Sequence, residues 1–318
     1  MNHVVVTGGA GFIGTNLCGR LLDRGDRVTI IDNLAAGRTP GLQDLIGRRG
    51  EPGVALLETD VTGPLYLGEQ CINAVVHLAS LVGPETVTRC PVSTLRVAVT
   101  GTLNALELAH RYHARFVLVS SSEIYGDPQI HPQPEDYRGN VDPVGPLSGY
   151  DEGKRAAEAA TAGYRREHDL NAAIVRPFNI YGPGMHPADR RVVPAFIGTA
   201  LRGGTLTLHG DGSQTRALCY VDDLVDGLIA VLDSSEFGPF NLGNPREVTM
   251  RELAEAIIAE VGRGSVATIP ARGQDAARRC PDIARARQIL GWEPQVPLDI
   301  GIARTVAWLR QVTPALAG

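Results

Sequence analysis

The chain has 318 residues, enough to bury a large core as one big domain or two. Its 43% hydrophobic and 20% charged residues, and a net charge of −5 from 30 basic and 35 acidic side chains, describe an ordinary soluble globular enzyme. No basic stripe points to nucleic acid, and no apolar run approaches a membrane span. The start, Met1-Asn2-His3, runs straight into a strand and leaves no room for a signal peptide. Cys18, Cys71, Cys90, Cys219 and Cys280 show no metal-ligand spacing, and the expectation is free thiols in a reducing cytoplasm.

In chain order, Val4–Thr7, Arg27–Ile31, Val54–Glu58, Ala74–His77, Phe116–Ser120 and Ala172–Val175 are β-branched runs that predict strands. Phe12–Arg24, Val92–His113 and Tyr150–His168 predict the helices between them. Such alternation implies an α/β fold with a doubly wound parallel sheet of the Rossmann type, its ligands at the carboxyl ends of the strands. After Pro177 the texture changes. Helices at Val192–Arg202, Val221–Leu232, Met250–Val261, Asp282–Leu290 and Leu298–Arg310 are separated by short extended pieces such as Thr205–Leu208. This predicts a smaller, mixed α/β C-terminal lobe. Phe240–Leu242 is a candidate to return to the main sheet. The expected division is therefore 1–178, with 213–242 returning to it, and 179–318. Gln129–Pro146, rich in proline and polar residues, predicts a long surface loop beside the site.

The first strand runs into VVVTGGAGFIG, Val4 to Gly14. Gly8, Gly11 and Gly14 stand between a strand and a helix: one for the tight turn, one for close approach to a pyrophosphate, one for helix–strand packing. The helix start at Phe12 and Ile13 offers unpaired N–H groups to the anion. Asp32, with Asn33 beside it, ends the next strand; a carboxylate there accepts from ribose hydroxyls and repels a 2′-phosphate, so NAD is expected over NADP. Arg38 is close enough in sequence to complicate that preference. Asp60 and Val61 follow the third strand, where an acid reaches the adenine; a plain surface aspartate is the alternative.

Tyr150 and Lys154 lie one helical turn apart on one face. A free tyrosine has a pKa near 10, and acting as a base near neutrality requires a shift of roughly 3 units, about 4 kcal/mol. A nearby ammonium and a positive nicotinamide ring favour the phenolate. Ser122 and Glu123 sit at the end of the fifth predicted strand. The hydroxyl can share an alcohol proton with Tyr150. Glu123 is not needed for hydride transfer alone; beside a ketone, a carboxylate can move an acidified α-proton. The alternative is that Glu123 caps the loop or pairs with a basic residue.

The stretches SSEIYGDPQIHPQPEDYRGNVDPVGP, YDEGKRAAE, MHPADRRVVPAF, GSQTRALCYVDDLVDGL, NLGNPREVTM and RRCPDIARARQILGWEPQVPL carry a resemblance that covers nearly the whole chain. The chain resembles the extended short-chain dehydrogenase/reductase family of nucleotide-sugar epimerases and dehydratases, and within it the UDP-glucuronate decarboxylases (UDP-xylose synthases). That resemblance implies bound NAD and a transient 4-keto sugar. It implies that Tyr150 and Lys154 are the catalytic pair, Ser121 or Ser122 the hydroxyl, and Glu123 the acid/base. Leu78, Ala79 and Ser80 line the nicotinamide side. Asn179, Val192 and Arg216 face a nucleotide-diphosphate sugar, most simply a UDP-sugar, with Arg216 and Arg279 on its pyrophosphate or ribose. Read without the resemblance, the two arginines are solvated surface charges. The family also implies a homodimer built on Val92–His113 and Tyr150–His168.

Departures from the family fall near the sugar. Decarboxylating relatives carry arginine where this chain has Leu147 and Gly184; Ala98 replaces an asparagine, and Glu85 stands in an altered loop. A charge-assisted hydrogen bond is worth about 1.5–3 kcal/mol, so losing two weakens carboxylate handling by roughly 3–6 kcal/mol. Glu85 disfavours an anionic sugar further, while Arg190 could restore a cation from another direction. The expected enzyme is a redox-neutral epimerase or dehydratase on a decarboxylase-like frame. The alternative is a true UDP-glucuronate decarboxylase with a rearranged anion site. A non-catalytic NAD sensor is a remote third reading, opposed by the presence of both Tyr150 and Lys154.

Overall fold

A computed structural model of the chain describes residues 1–35, 37, 39–47, 53–270 and 278–313. Arg38 lies outside the described residues. The strands are β1 (His3–Thr7), β2 (Arg27–Asp32), β3 (Val54–Glu58), β4 (Ala74–His77), β5 (Arg115–Val119), β6 (Ala172–Pro177), β7 (Ile180–Tyr181), β8 (Thr205–His209), β9 (Thr215–Ala217), β10 (Cys219–Tyr220), β11 (Phe240–Leu242), β12 (Glu247–Thr249) and β13 (Ser265–Ile269). The helices are α1 (Phe12–Asp23), α2 (Pro40–Gly47), α3 (Pro84–Arg89), α4 (Pro91–Arg96), α5 (Thr102–Arg111), α6 (Ser148–His168), α7 (Val192–Leu201), α8 (Val221–Asp233), α9 (Met250–Val261), α10 (Ala284–Leu290) and α11 (Leu298–Val312).

Seven strands form one parallel sheet in the order β11-β6-β5-β4-β1-β2-β3. Their β-branched residues are buried on both faces, and the pleat sends alternate side chains to two cores. Val4, Val6, Val76, Val117 and Val175 enter one core. Val5, Val75, Phe116, Leu118 and Ile174 enter the other. The chain direction across the sheet reverses between β1 and β4, which opens a crevice at their carboxyl ends. Both candidate motifs end there.

One helical path runs through α4, a π-turn at Val97–Gly101, and α5. It packs against α6, whose buried residues Gly149, Gly153 and Ala157 are small enough for close approach. Gly153 needs that smallness, because a Cβ there would stand 2.8 Å from the Cβ of Ala98. Beyond β6 the chain builds three two-stranded pieces, β7 with β10, β9 with β12 and β8 with β13. Between them it sends β11 back to pair with β6, Phe240 beside Val175.

Candidate active site

The glycine turn is shaped by what surrounds it. Gly8 has φ +70°, and a Cβ on it would stand 2.6 Å from the backbone N of Ala79. A Cβ on Gly14 would strike the Gly8 carbonyl oxygen. Gly11 caps α1 with no side chain, so the first N–H groups of the helix stay open to a ligand. Every glycine, acid and loop residue expected to touch the cofactor, from Gly8, Phe12 and Ile13 through Asp32, Asn33, Asp60 and Val61 to Leu78, Ala79 and Ser80, lines one cavity of about 570 Å³. Both Asp32 oxygens accept backbone N–H groups, from Ala10 at 3.1 Å and Leu34 at 2.9 Å, which fixes the carboxylate at the end of β2. Asp60 accepts from the Thr62 N–H and hydroxyl, both at 2.8 Å, and these bonds hold it below the usual carboxylate range. A carboxylate at each rim and a bare, anion-sized turn between them fit a dinucleotide without a 2′-phosphate.

Tyr150 opens α6, and the Lys154 ammonium lies 5.8 Å from its ring centroid. Lys154 donates to the Val119 carbonyl at 2.9 Å. Burial lowers it to about 8, only partly offset by Glu158. Buried His77, which shares a 2.7 Å hydrogen bond with Thr7, is lowered to about 3 by burial and by Lys154, so no second cation competes there. Of the two serines considered, Ser121 is the one whose hydroxyl acts on the Tyr150 phenol, pulling its pKa down. Ser122 is buried in the 3-10 turn that follows. The phenol itself departs from expectation. Burial pushes Tyr150 up to about 12; the Ser121 hydroxyl pulls down, Glu123 and Asp151 push up, and Arg191 pulls down. The polypeptide alone therefore favours the neutral phenol.

Glu123 is ion-paired with Arg279, which also donates to the Gly126 carbonyl at 3.3 Å. The Arg279 fork is thus turned toward Glu123, where a phosphate contact had been expected. Asp151, not singled out in the sequence, is buried beside them. Burial, then the charge of Glu123, raise it to about 7 despite Arg279.

The other expected sugar-side residues are spread along the lobe. Asn179, at φ +44°, donates to the Ala217 carbonyl at 3.2 Å. Arg216 lies on β9 and donates to Thr215. Val192 begins α7. Leu147 caps α6, and Gly184, at φ +97°, lines the cavity. Arg190 does not supply the cation that these two positions lack: it pairs with Glu85 at 3.1 Å on the surface, so each cancels the effect expected of the other. Arg191, its unremarked neighbour, lines the cavity, as does Arg89; Arg191 is gripped by Asp189 at 2.6 Å and lies 5.8 Å from the Phe12 ring centroid. A second unforeseen grouping brings Cys280 within 4.8 Å of His131 and Glu247, but Glu247 is already bonded to Thr215 and Arg278.

A dinucleotide cradle at the sheet crossover, with a half-buried tyrosine and serine and a buried lysine beside it, defines a nicotinamide-dependent dehydrogenase-type α/β enzyme. The chain belongs to the NAD dependent epimerase/dehydratase family, whose model matches residues 4–243. It is 43% identical over 310 residues to UDP-glucuronic acid decarboxylase 1 of Xenopus tropicalis, spanning 97% of this chain and 72% of that protein. It is 46% identical over 311 residues to UDP-glucuronic acid decarboxylase 1 of Arabidopsis thaliana, spanning 97% and 70%. Among solved structures it is similar to the dTDP-glucose 4,6-dehydratase DesIV of Streptomyces venezuelae, solved with NAD bound, at a TM-score of 0.85 and 28% identity over 98% of each chain.

Proposed function

We propose that this protein converts a nucleotide-diphosphate sugar, with a UDP-sugar as the best fit, through a transient ketone at carbon 4 and with no net oxidation. The observation that carries the reading is the Lys154 ammonium 5.8 Å from the Tyr150 ring centroid, one helical turn away on α6 beside the cofactor cradle, with Ser121 acting on the phenol. NAD bound in the cradle would take up and return the hydride. Gly8, Gly11 and Gly14 would hold its pyrophosphate, and Asp32 its ribose. Tyr150, ionised in the loaded enzyme, removes the proton of the sugar 4-hydroxyl and becomes the neutral phenol; before that step the Ser121 hydroxyl and the Lys154 ammonium favour its phenolate. Because the polypeptide by itself keeps the phenol neutral, this abstraction is confined to the loaded enzyme. Glu123 moves the proton on the carbon next to the ketone. Residues 179–318 supply the sugar side, with Asn179, Val192 and Arg216 as its contacts, while Arg279 acts through Glu123.

Leu147 and Gly184 replace the two arginines that decarboxylating relatives set against a sugar carboxylate, and Arg191, which lines the same cavity as Gly184, is already paired with Asp189. This supports a neutral sugar and an epimerase or dehydratase outcome. A second reading, decarboxylation of UDP-glucuronate, is supported by the 43% and 46% identical relatives. Incubation with UDP-glucose and UDP-glucuronate separates them. An epimer or a dehydrated keto sugar from the former supports the first reading; carbon dioxide and a UDP-pentose from the latter support the second. No turnover of any nucleotide sugar by NAD-loaded protein defeats both.

We also read the protein as a cytoplasmic homodimer. Five unpaired cysteines fit a reducing compartment, and no helix among the described residues is long and apolar enough to cross a membrane. The α4–α5 surface exposes Val92 by 70%, Leu95 by 41% and Leu103 by 41%, an apolar strip suited to a second copy.

A further inference from the structure

Three buried side-chain atoms around Tyr150 have no hydrogen-bond partner among the described residues: Glu123 Oε2, Asp151 Oδ1 and Arg279 Nε. Buried polar atoms in folded proteins are almost always satisfied, so a cluster of three marks groups kept for more than packing. Asp151 is 8% exposed and directly follows Tyr150 on α6. Facing it are Glu123 from the 3-10 turn after β5 and Arg279 from the segment before α10, while Glu152 acts from its own helix and lies half-exposed outside the cluster. The enclosed charges are therefore two carboxyl groups and one guanidinium. One guanidinium cannot neutralise two clustered carboxylates, so the poorly partnered and more deeply buried one retains a proton. Arg279 gives its fork to Glu123 and the Gly126 carbonyl, which leaves Asp151 as the proton carrier.

We propose that Asp151 is a proton-holding, positioning partner of Glu123: the two carboxyl groups share one proton, and Asp151 accepts from or restores to Glu123 the proton that Glu123 exchanges with the carbon beside the sugar ketone. The inference rests on the transient-ketone reading. The proton balance closes for each outcome. Holding one proton, the pair can accept a second from carbon, the C–H electrons going into the enolate. It can equally give up the first to an enolate, the electrons returning to a C–H bond. Epimerisation takes one proton and returns one. Decarboxylation consumes one from the pair. The position of Asp151 near 7, raised by burial and by Glu123, suits a group that must carry a proton in both directions at neutral pH.

Asp151→Asn preserves shape and removes the exchangeable proton. With NAD-loaded enzyme and UDP-glucose or UDP-glucuronate in deuterium oxide, reduction of the bound cofactor, read by its absorbance, stays near the wild-type rate. Deuterium uptake at sugar carbon falls about 100-fold. The near-neutral ionisation also leaves the pH profile of that uptake, and Asp151→Glu restores it in part. Equal loss of both readouts, or an unchanged pH profile, overturns the proposal. If wild-type enzyme reduces no cofactor with either sugar, the transient-ketone reading fails, and the pair is judged without substrate. Carbon-13 NMR of the protein alone then shows an aspartate carboxyl that titrates near neutrality, vanishes in Asp151→Asn and moves down in Glu123→Gln. Titration of every aspartate in the ordinary carboxylate range rejects the shared proton.

Discussion

Two buried clusters in this molecule combine an arginine, carboxylates and a tyrosine, and they are finished to different degrees. In the first, Arg176 grips Glu158 with two bonds, at 2.9 and 2.7 Å, and donates to the Tyr125 hydroxyl and the Glu135 carbonyl at 2.8 and 2.9 Å. Tyr125 passes its own proton to Asn241, whose backbone donates to Glu135 at 3.0 Å. The second cluster, Tyr150, Glu123, Asp151 and Arg279, leaves three atoms unpaired. The first locks β6 and β11 to the loop before α6; the second sits beside the cofactor cradle. A saturated network stabilises one geometry, whereas an unsaturated one stores unfavourable electrostatics that a ligand can relieve.

Substitutions should separate the clusters most sharply by activity. Tyr150→Phe lowers turnover about 1,000-fold while leaving the denaturation midpoint near wild type. Arg176→Met does the reverse: it costs about 3–5 kcal/mol in urea unfolding, because Glu158 is stranded, and the folded fraction remains active. The pH dependence sharpens the contrast. Asp151 carries a proton in the folded state up to about 7, against an ordinary value of 3.8, so its penalty grows as pH rises between these values and is complete above them. Asp151→Asn should therefore gain stability relative to wild type between pH 5 and pH 8, by about 2 kcal/mol in matched urea titrations. Lys154 is depressed, so its penalty is present below about 8 and fades as pH rises toward the ordinary value of 10.5. Lys154→Met should stabilise the protein at pH 7 by an amount that shrinks above pH 8. The smallest expected effect tests the altered sugar side. Leu147→Arg should shift relative kcat/KM toward UDP-glucuronate by about tenfold, or 1.4 kcal/mol. Gly184→Arg should do less, since φ +97° and a Cβ 3.0 Å from Asn16 strain any side chain there. Leu95→Asp, outside both clusters, should give a monomer by light scattering if the exposed strip is the subunit contact.

Much of this was legible in the sequence where the signal is local. The alternation of β-branched runs and helices yields the parallel sheet, and α9 spans Met250–Val261 as expected, closed by a Thr249 capping box and Gly262. Gly8, Gly14 and Asp32 were legible because a turn and a strand end dictate their chemistry. Local pattern failed where partners are far apart. Glu123 meets Arg279 across 156 positions, and no periodicity encodes that pairing. Asp151 looked like an ordinary acid in the first turn of a helix, a place acids favour anyway. Arg190 and Arg191 are indistinguishable by type, and only the direction taken by the chain into α7 turns one to the cavity and the other to Glu85. The short strands β7, β9, β10 and β12 escape the sequence reading because two or three residues carry no detectable alternation, and β13, which pairs with the distant β8, escapes it as well.

The return of β11 to the edge of the large sheet has a consequence for taking the molecule apart. Phe240–Leu242 covers the flank of β6, and the Arg115 guanidinium reaches the carbonyls of Val231 and Glu236 at 2.8 and 2.9 Å. A fragment that stopped at residue 178 would bare that flank and strand a buried cation, inviting intermolecular strand pairing. Exchanging the residues after 178 for those of a relative therefore takes three junctions, one after β6 and one on each side of the segment that carries α8 and β11, so that the native sheet keeps its outermost strand.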